Sequence, residues 1–362
     1  MQNLAQGHSE KKNQYNFVDY IRCIAIISIV VEHSMVLAPA NYQAKSYTEE
    51  LILSFIVQVA KFGTICFFIL AGFLIGEKLN QYSPAQYIKR RMNSTLVPWL
   101  VWTTVFLLCL FIDDFIKIAR FNNWEIPAEF YDKLLFQIRF VYIYSSFWFI
   151  PNFLICISLL LIFKKWLYKR WLGLFFLLVT LLYSVNVYSE SIEPRHSTAI
   201  LGFVFFFWLG VQINHNFARI ERWINQTPIY LWIVLCAIMV GVGIKEAELL
   251  STFHSVDPFN TLRISNIIYS LLVFILLLRI KNFNFIKLLK PRETSFGIYL
   301  VHFIIVICLM PMIFKQYHYS VEPLSFPLIL GFLTLRFFMI YGMSFALVWL
   351  INQTKLRWII GR

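Results

Sequence analysis

Apolar runs alternate with short charged segments along nearly the whole chain. Ten runs stand out, over residues 17–36, 51–76, 95–116, 147–163, 171–187, 197–213, 228–244, 264–278, 294–314 and 327–351. Each approaches or exceeds the length a helix needs to cross roughly 30 Å of hydrocarbon. Only helices and closed barrels satisfy their backbone polar groups in lipid. The pattern therefore predicts an all-α fold, a polytopic membrane helix bundle of about ten transmembrane helices. Residues 1–16 are polar and read as a cytoplasmic tail, which leaves 17–362 as a single transmembrane domain. The longest polar connection runs from about Lys117 to Ser146 and carries Trp124, Tyr131, Tyr142 and Tyr144 amid mixed charge. Such aromatics fit a sugar-binding surface, and they fit an interfacial aromatic belt better.

Composition sharpens this picture. The chain is 59% hydrophobic and 14% charged, whereas soluble domains carry about 25% charged residues. Its net charge of +13 would suggest nucleic-acid binding in a soluble protein. Here the cations fall on alternate connections, including Lys78, Lys89, Arg90, Arg91, Lys164, Lys165, Arg219, Arg222, Arg279, Arg292 and Arg357. The positive-inside rule puts those connections and both termini in the cytoplasm. It also makes the chain a multi-pass protein of the inner (cytoplasmic) membrane, with lipids rather than nucleic acid as partner. The six cysteines sit in or beside apolar runs, with no CxxC pair. They read as small hydrophobes, and no disulfide framework or metal site is expected. Ala38-Pro39-Ala40 imitates a signal-peptidase site, but Asp19, Arg22, Glu32 and His33 do not belong in a signal peptide's apolar stretch. The first helix is expected to be retained.

Ionisable side chains within a span are costly and mark function by default. The first run holds four. Arg22 and His33 lie about three turns, or 16 Å, apart on nearly the same face, with Asp19 within about 60° of Arg22. One face thus presents an acid and a cation near one surface and an imidazole deep towards the other. Snorkelling would account for Arg22, and a polar interhelical contact for His33. Neither explains why they share a face. Glu32 points about 100° away from His33, placed either to orient the imidazole or to pair with another helix. In the ninth run, Ser295, Tyr299 and His302 follow i, i+4, i+7 spacing on one face. Lys61 and Arg336 are isolated cations, read as snorkelling towards the headgroups.

These residues resemble a known family. The stretch Phe17-Val-Asp19-Tyr-Ile-Arg22, with ten residues between Arg22 and His33, resembles the opening helix of acyltransferase-3 proteins. Phe67-Phe-Ile-Leu-Ala71-Gly72-Phe-Leu-Ile75 is similar to the family's second-helix segment. Tyr87-Ile-Lys89-Arg90-Arg91 followed by Pro98 is similar to its basic entry to the third helix. Phe147-Trp148-Phe149-Ile150 and Phe296-Gly-Ile-Tyr299-Leu-Val-His302 are similar to two further motifs. The likeness runs in order over essentially the whole chain. It departs where Cys23 replaces the usual glycine and Ala71 the usual serine, and where Met92 and Thr95 follow the basic residues. The last feature looks more like the branch acting on biofilm or capsular polysaccharides. The fused esterase-like domain of some members is not expected here.

The resemblance implies acyl transfer from a cytoplasmic acyl-CoA, most often acetyl-CoA, to a hydroxyl of a surface or lipid-linked glycan, with no permanently bound cofactor. It implies His33 as general base or as a transiently acylated group, with Arg22, Glu32 and Asp19 in the catalytic face. Arg22, Lys89, Arg90, Arg91, Tyr299 and His302 would hold the donor, and Trp148 and Tyr144 the acceptor. A transporter or polysaccharide exporter is the rival reading, because intramembrane charges also mark translocation paths. No internal repeat of the secondary-transporter kind supports it. A non-enzymatic partner of glycan synthesis would not be expected to retain the charged face.

Overall fold

A computed structural model describes residues 16–35, 42–78, 81–121, 124–281, 284–314 and 324–362. Nearly all of the tail predicted over 1–16 lies outside them. Every one of the ten apolar runs holds helix, and the described residues contain no strand.

In chain order the α-helices are α1 (Asn16–Ser34), α2 (Tyr47–Ala60), α3 (Gly63–Lys78), α4 (Pro84–Arg91), α5 (Val97–Phe121) and α6 (Phe130–Arg139). They continue as α7 (Phe149–Ile162), α8 (Arg170–Ser189), α9 (Val204–His215), α10 (Phe217–Gln226), α11 (Ile229–Thr252) and α12 (Ile264–Ile280). The chain ends in α13 (Pro291–Ile304), α14 (Met310–Ile313) and α15 (Phe326–Asn352). Among the described residues, six helical stretches are long and apolar enough to cross a membrane, or seven if the bent pair around Ser145 is one span.

Local chemistry explains several boundaries. Ser46 caps α2 by accepting from the Glu49 amide, and Glu49 and Glu50 in the first turn complement the helix dipole. Ser83 and Gln86 form a reciprocal capping box at α4, with Pro84 in the first turn. Among the described residues, three π-helical turns interrupt regular helix, at Met92–Leu96, Phe140–Tyr144 and Ile305–Leu309. Such bulges gather at functional sites, and the first two line the cavities described below.

Three expectations change. The predicted second span is two helices, broken at Lys61 and Phe62. Much of the predicted loop 117–146 is helical: α6 and the following π turn join Ser146–Ile162 at a 50° bend. The run at 197–213 begins as turns and becomes helix only at Val204, and its first residue, Ser197, lines a cavity.

Two large apolar clusters and a small one around Tyr42, Ile329 and Leu333 build the core of the described residues. One large cluster centres on Phe68, Phe203, Phe207 and Val211, and the other on Phe106, Phe147, Ile298, Ile340 and Val348. Helix α1 runs between them, giving Tyr20, Ile21 and Cys23 to the first and Ile26 and Val30 to the second. Its polar face is therefore held at the middle of the bundle. Helices α3 and α9 touch backbone to backbone. A Cβ on Gly72 would sit 2.0 Å from the Phe207 carbonyl oxygen, and one on Gly210 would sit 2.0 Å from that of Ile69. Close approach through small residues is how helices associate without a hydrophobic drive between them. Cys23, Cys66, Cys156 and Cys236 are buried in the first cluster as free thiols.

Candidate active site

Two cavities meet at α1. The larger, about 500 Å³, is lined along α1 from Val18 and Asp19 to Ile29, a length of about 16 Å. Arg22, Lys78, Arg91 and Arg292 give it four cations against Asp19 and Glu77. Phe67, Phe149, Phe153 and Phe296 supply its apolar walls. Arg22 donates to Asp19 at 2.9 Å, with both side chains partly exposed, so the pair keeps open donors facing the cavity. The C-terminal Gly361 lines the same cavity, and Arg362 pairs with Glu293 at 3.2 Å. The chain therefore ends beside the start of α1.

The smaller cavity, about 350 Å³, holds Glu32, His33, Tyr144, Ser146, Trp148, Arg195, His196 and Asp257. Ile29, Phe149 and Tyr299 line both cavities and form the partition between them. His33 sits one turn beyond Ile29 on α1. The Tyr299 hydroxyl donates to the Ser146 carbonyl, tying α13 to the bend before α7.

The hydrogen bonds around His33 fix its proton. His302 is fully buried, and its Nδ1 lies 2.7 Å from the Tyr299 carbonyl and 3.1 Å from that of Ile298. A carbonyl only accepts, so His302 Nδ1 carries hydrogen and its Nε2 a lone pair. That nitrogen is 2.9 Å from His33 Nδ1. His33 Nδ1–H therefore donates to His302, and His33 Nε2 is left with an unshared pair. A neutral imidazole held in this way has a lone pair able to accept a proton. Beside it, Glu32 pairs with the buried Lys61 of the α2–α3 break at 2.5 Å. The expectation that Lys61 snorkels is thus corrected: its ammonium turns inward, because a helix break puts it opposite a carboxylate. Arg336 is likewise buried in α15.

Chain-wide comparison agrees with the motifs. A family model described as an acyltransferase domain matches residues 15–359. The chain belongs to the acyltransferase-3 family. Among curated relatives, proteins from Staphylococcus aureus strains MSSA476 and MW2 are 23% identical over 296 residues, covering 79% of this chain and 81% of theirs. The strain MRSA252 protein is 24% identical over the same coverage. All three carry the name "Probable poly-beta-1,6-N-acetyl-D-glucosamine export protein". No solved structure matches.

Within this acyltransferase-3 chain, the structure places the anticipated residues unevenly. Asp19, Arg22 and Arg91 line the larger cavity; Glu32, His33, Tyr144 and Trp148 line the smaller. Arg90 instead stacks on Tyr82 and donates to its hydroxyl at 2.6 Å, while Lys89 is exposed outside both. His302 supports His33 from behind and lines neither cavity. Tyr299 lines both, with its hydroxyl hydrogen committed to Ser146. Lys78, Arg292, Arg195, His196 and Asp257 were not anticipated. Their signals were ordinary: loop charges, and one histidine in a polar turn. Trp148 stacks on His196 at 4.9 Å, and the Arg195 guanidinium covers the Tyr144 ring at 4.1 Å.

Proposed function

We propose that the chain is an O-acyltransferase of the inner (cytoplasmic) membrane, moving an acyl group, most simply acetyl, from acyl-CoA to a polysaccharide hydroxyl. The observation that carries this reading is the place of His33. His33 lines one cavity, and three residues of that lining, Ile29, Phe149 and Tyr299, also line another that is basic and aromatic.

The larger cavity suits a nucleotide thioester. Arg22, Lys78, Arg91 and Arg292 offer charge-assisted bonds to its phosphates, and the aromatic walls suit its uncharged arm. The excess of Lys and Arg at this end supports its facing the cytoplasm. The smaller cavity, with Trp148, Tyr144 and hydroxyl-binding groups, suits a sugar. The relatives' name makes an N-acetylglucosamine polymer a reasonable acceptor class.

In the reaction, an acceptor hydroxyl oxygen attacks the thioester carbonyl carbon while His33 Nε2 takes its proton. The carbon–sulfur bond breaks, and the departing thiolate recovers that proton from His33. No onward relay exists through His302, whose Nδ1–H faces only helix carbonyls. One imidazole therefore serves as base and then acid. The buried hydroxyls of Ser146 and Ser197 in the smaller cavity and of Ser295 in the larger make no hydrogen bond among the described residues. They are the available donors for the thioester oxyanion.

The relatives' name favours a second reading, export. A polysaccharide in transit needs a continuous polar path, whereas the residues shared by the two cavities, Ile29, Phe149 and Tyr299, are mostly apolar; a slim thioester arm suits such a junction better than a sugar polymer does. The test is the surface glycan of cells with the wild-type gene, a deletion and His33→Ala, assayed by proton NMR and mass spectrometry. O-acyl groups present only in the wild type, at unchanged glycan yield, uphold acyl transfer. Unchanged acylation with glycan retained inside the cell upholds export.

A further inference from the structure

The smaller cavity contains a second histidine that the chemistry at His33 does not use. His196 lies in the turn before α9, stacked on Trp148. The Thr261 backbone N–H points at its Nε2 at 3.4 Å, and the Thr261 hydroxyl lies 2.8 Å from the same atom. A backbone N–H only donates, so Nε2 accepts and the neutral ring carries its hydrogen on Nδ1. That Nδ1 lies 3.9 Å from Asp257 Oδ2. The gap is too long for a hydrogen bond. It is also short enough for one interposed oxygen to reach both atoms at about 2.8 Å. Such an oxygen would accept from Nδ1–H and donate to the carboxylate, which only a hydroxyl or a water can do. Asn260 holds Asp257 Oδ2 from the other side at 3.1 Å, and Asn260 is itself anchored on the Pro194 carbonyl at 2.6 Å. Both sides of the gap are thus fixed by backbone.

We propose that His196 and Asp257 form a clamp for one non-reacting hydroxyl of the acceptor, with the ring of the sugar lying against Trp148. The clamp holds a pyranose so that a different hydroxyl reaches His33. It selects for a sugar hydroxyl because it needs one group that both donates and accepts. A methyl ether loses the donated bond, and a deoxy position loses both. The inference rests on the acyl-transfer reading only in naming its ligand as the acceptor.

The probe is a β-1,6-linked N-acetylglucosamine pentamer with a set of its monodeoxy analogues. Transfer is measured with labelled acetyl-CoA, and binding without donor by calorimetry. Asp257→Ala is expected to raise the pentamer KM and Kd by about 10- to 150-fold, the loss of one hydrogen bond to a charged group. The donor KM stays at its wild-type value, while kcat at saturating acceptor falls because the reacting hydroxyl is no longer held at His33. His196→Phe, which keeps the stack on Trp148, shifts the same two constants. One deoxy analogue binds the wild type weakly yet binds Asp257→Ala no worse than the pentamer does. An unchanged pentamer Kd in Asp257→Ala, or deoxy penalties equal in wild type and variant, overturns the clamp. So does a wild-type protein that does not bind the pentamer. A wild-type protein that binds it with this pattern but transfers nothing sinks the acyl-transfer reading and leaves the clamp standing.

Discussion

Replacing His302 with phenylalanine removes one acceptor while keeping a ring in place. His33 Nδ1–H then loses its 2.9 Å partner at a site where His302 is fully buried. Leaving a buried donor unsatisfied costs about 1–3 kcal/mol. The His33 proton is also freed to move to Nε2, the nitrogen needed as base. Set against the transition state, the loss predicts a fall in kcat/KM of about 5- to 150-fold. His302→Gln can offer its side-chain oxygen to the same N–H and is expected to lose distinctly less. The assay is the initial rate of labelled acyl transfer in nanodiscs, with thermal melts confirming that both variants fold. A phenylalanine variant at the wild-type rate would refute the tautomer argument. Glutamine falling as far as phenylalanine would show that ring shape, not the acceptor, is what His33 needs.

Other expectations follow from the same geometry. Lys61→Ala strands Glu32 in a partly buried site and is expected to cost about 3–5 kcal/mol; Lys61→Met with Glu32→Gln restores much of it in thermal melts. Arg91→Ala should raise the donor KM, whereas Arg90→Ala, outside the cavity, should leave it within about twofold, the loss of a surface contact. Gly72→Ala drives a methyl into the Phe207 carbonyl and is expected to lower the yield of folded protein, read by size exclusion. Burial holds the His196 imidazole below its ordinary range, opposed by Asp257. The unfolded chain then binds more protons below about pH 6.5, so stability falls as pH drops through that value. His196→Gln should flatten the dependence of the melting temperature on pH over that window.

Much of this architecture was legible because ionisable residues are rare in apolar runs. Asp19, Arg22 and His33 stood out on one face of the first run, and helix periodicity alone put them on one path. The ninth run offered Tyr299 and His302 in the same way. What periodicity does not carry is which partner a polar group meets. Lys61 looked like a snorkelling cation because the run around it seemed continuous; the break at Lys61 and Phe62 lies between apolar residues, before Gly63. The segment 117–146 read as a loop because its charges interrupt the apolar run, yet Phe130–Arg139 forms a helix that continues through a bend into α7. Lys89, Arg90 and Arg91 formed one basic cluster in sequence. A rotation of about 100° per residue sends only Arg91 to the cavity. His196 showed only as a histidine in a polar turn, since its importance comes from the way that turn is folded into the bundle by contacts with Thr261 and Asn260.

The central claim is that an acyl group passes from a donor in the basic cavity to an acceptor hydroxyl in the smaller one, with His33 as the base. The most direct test reconstitutes the protein in sealed liposomes, with labelled acetyl-CoA on the side of the basic cavity and the glucosamine pentamer on the other. The account predicts label on the pentamer with the wild type and none with His33→Ala, while both proteins bind the donor alike. Label transferred at the wild-type rate by His33→Ala, or unlabelled pentamer crossing the membrane without acylation, would contradict it.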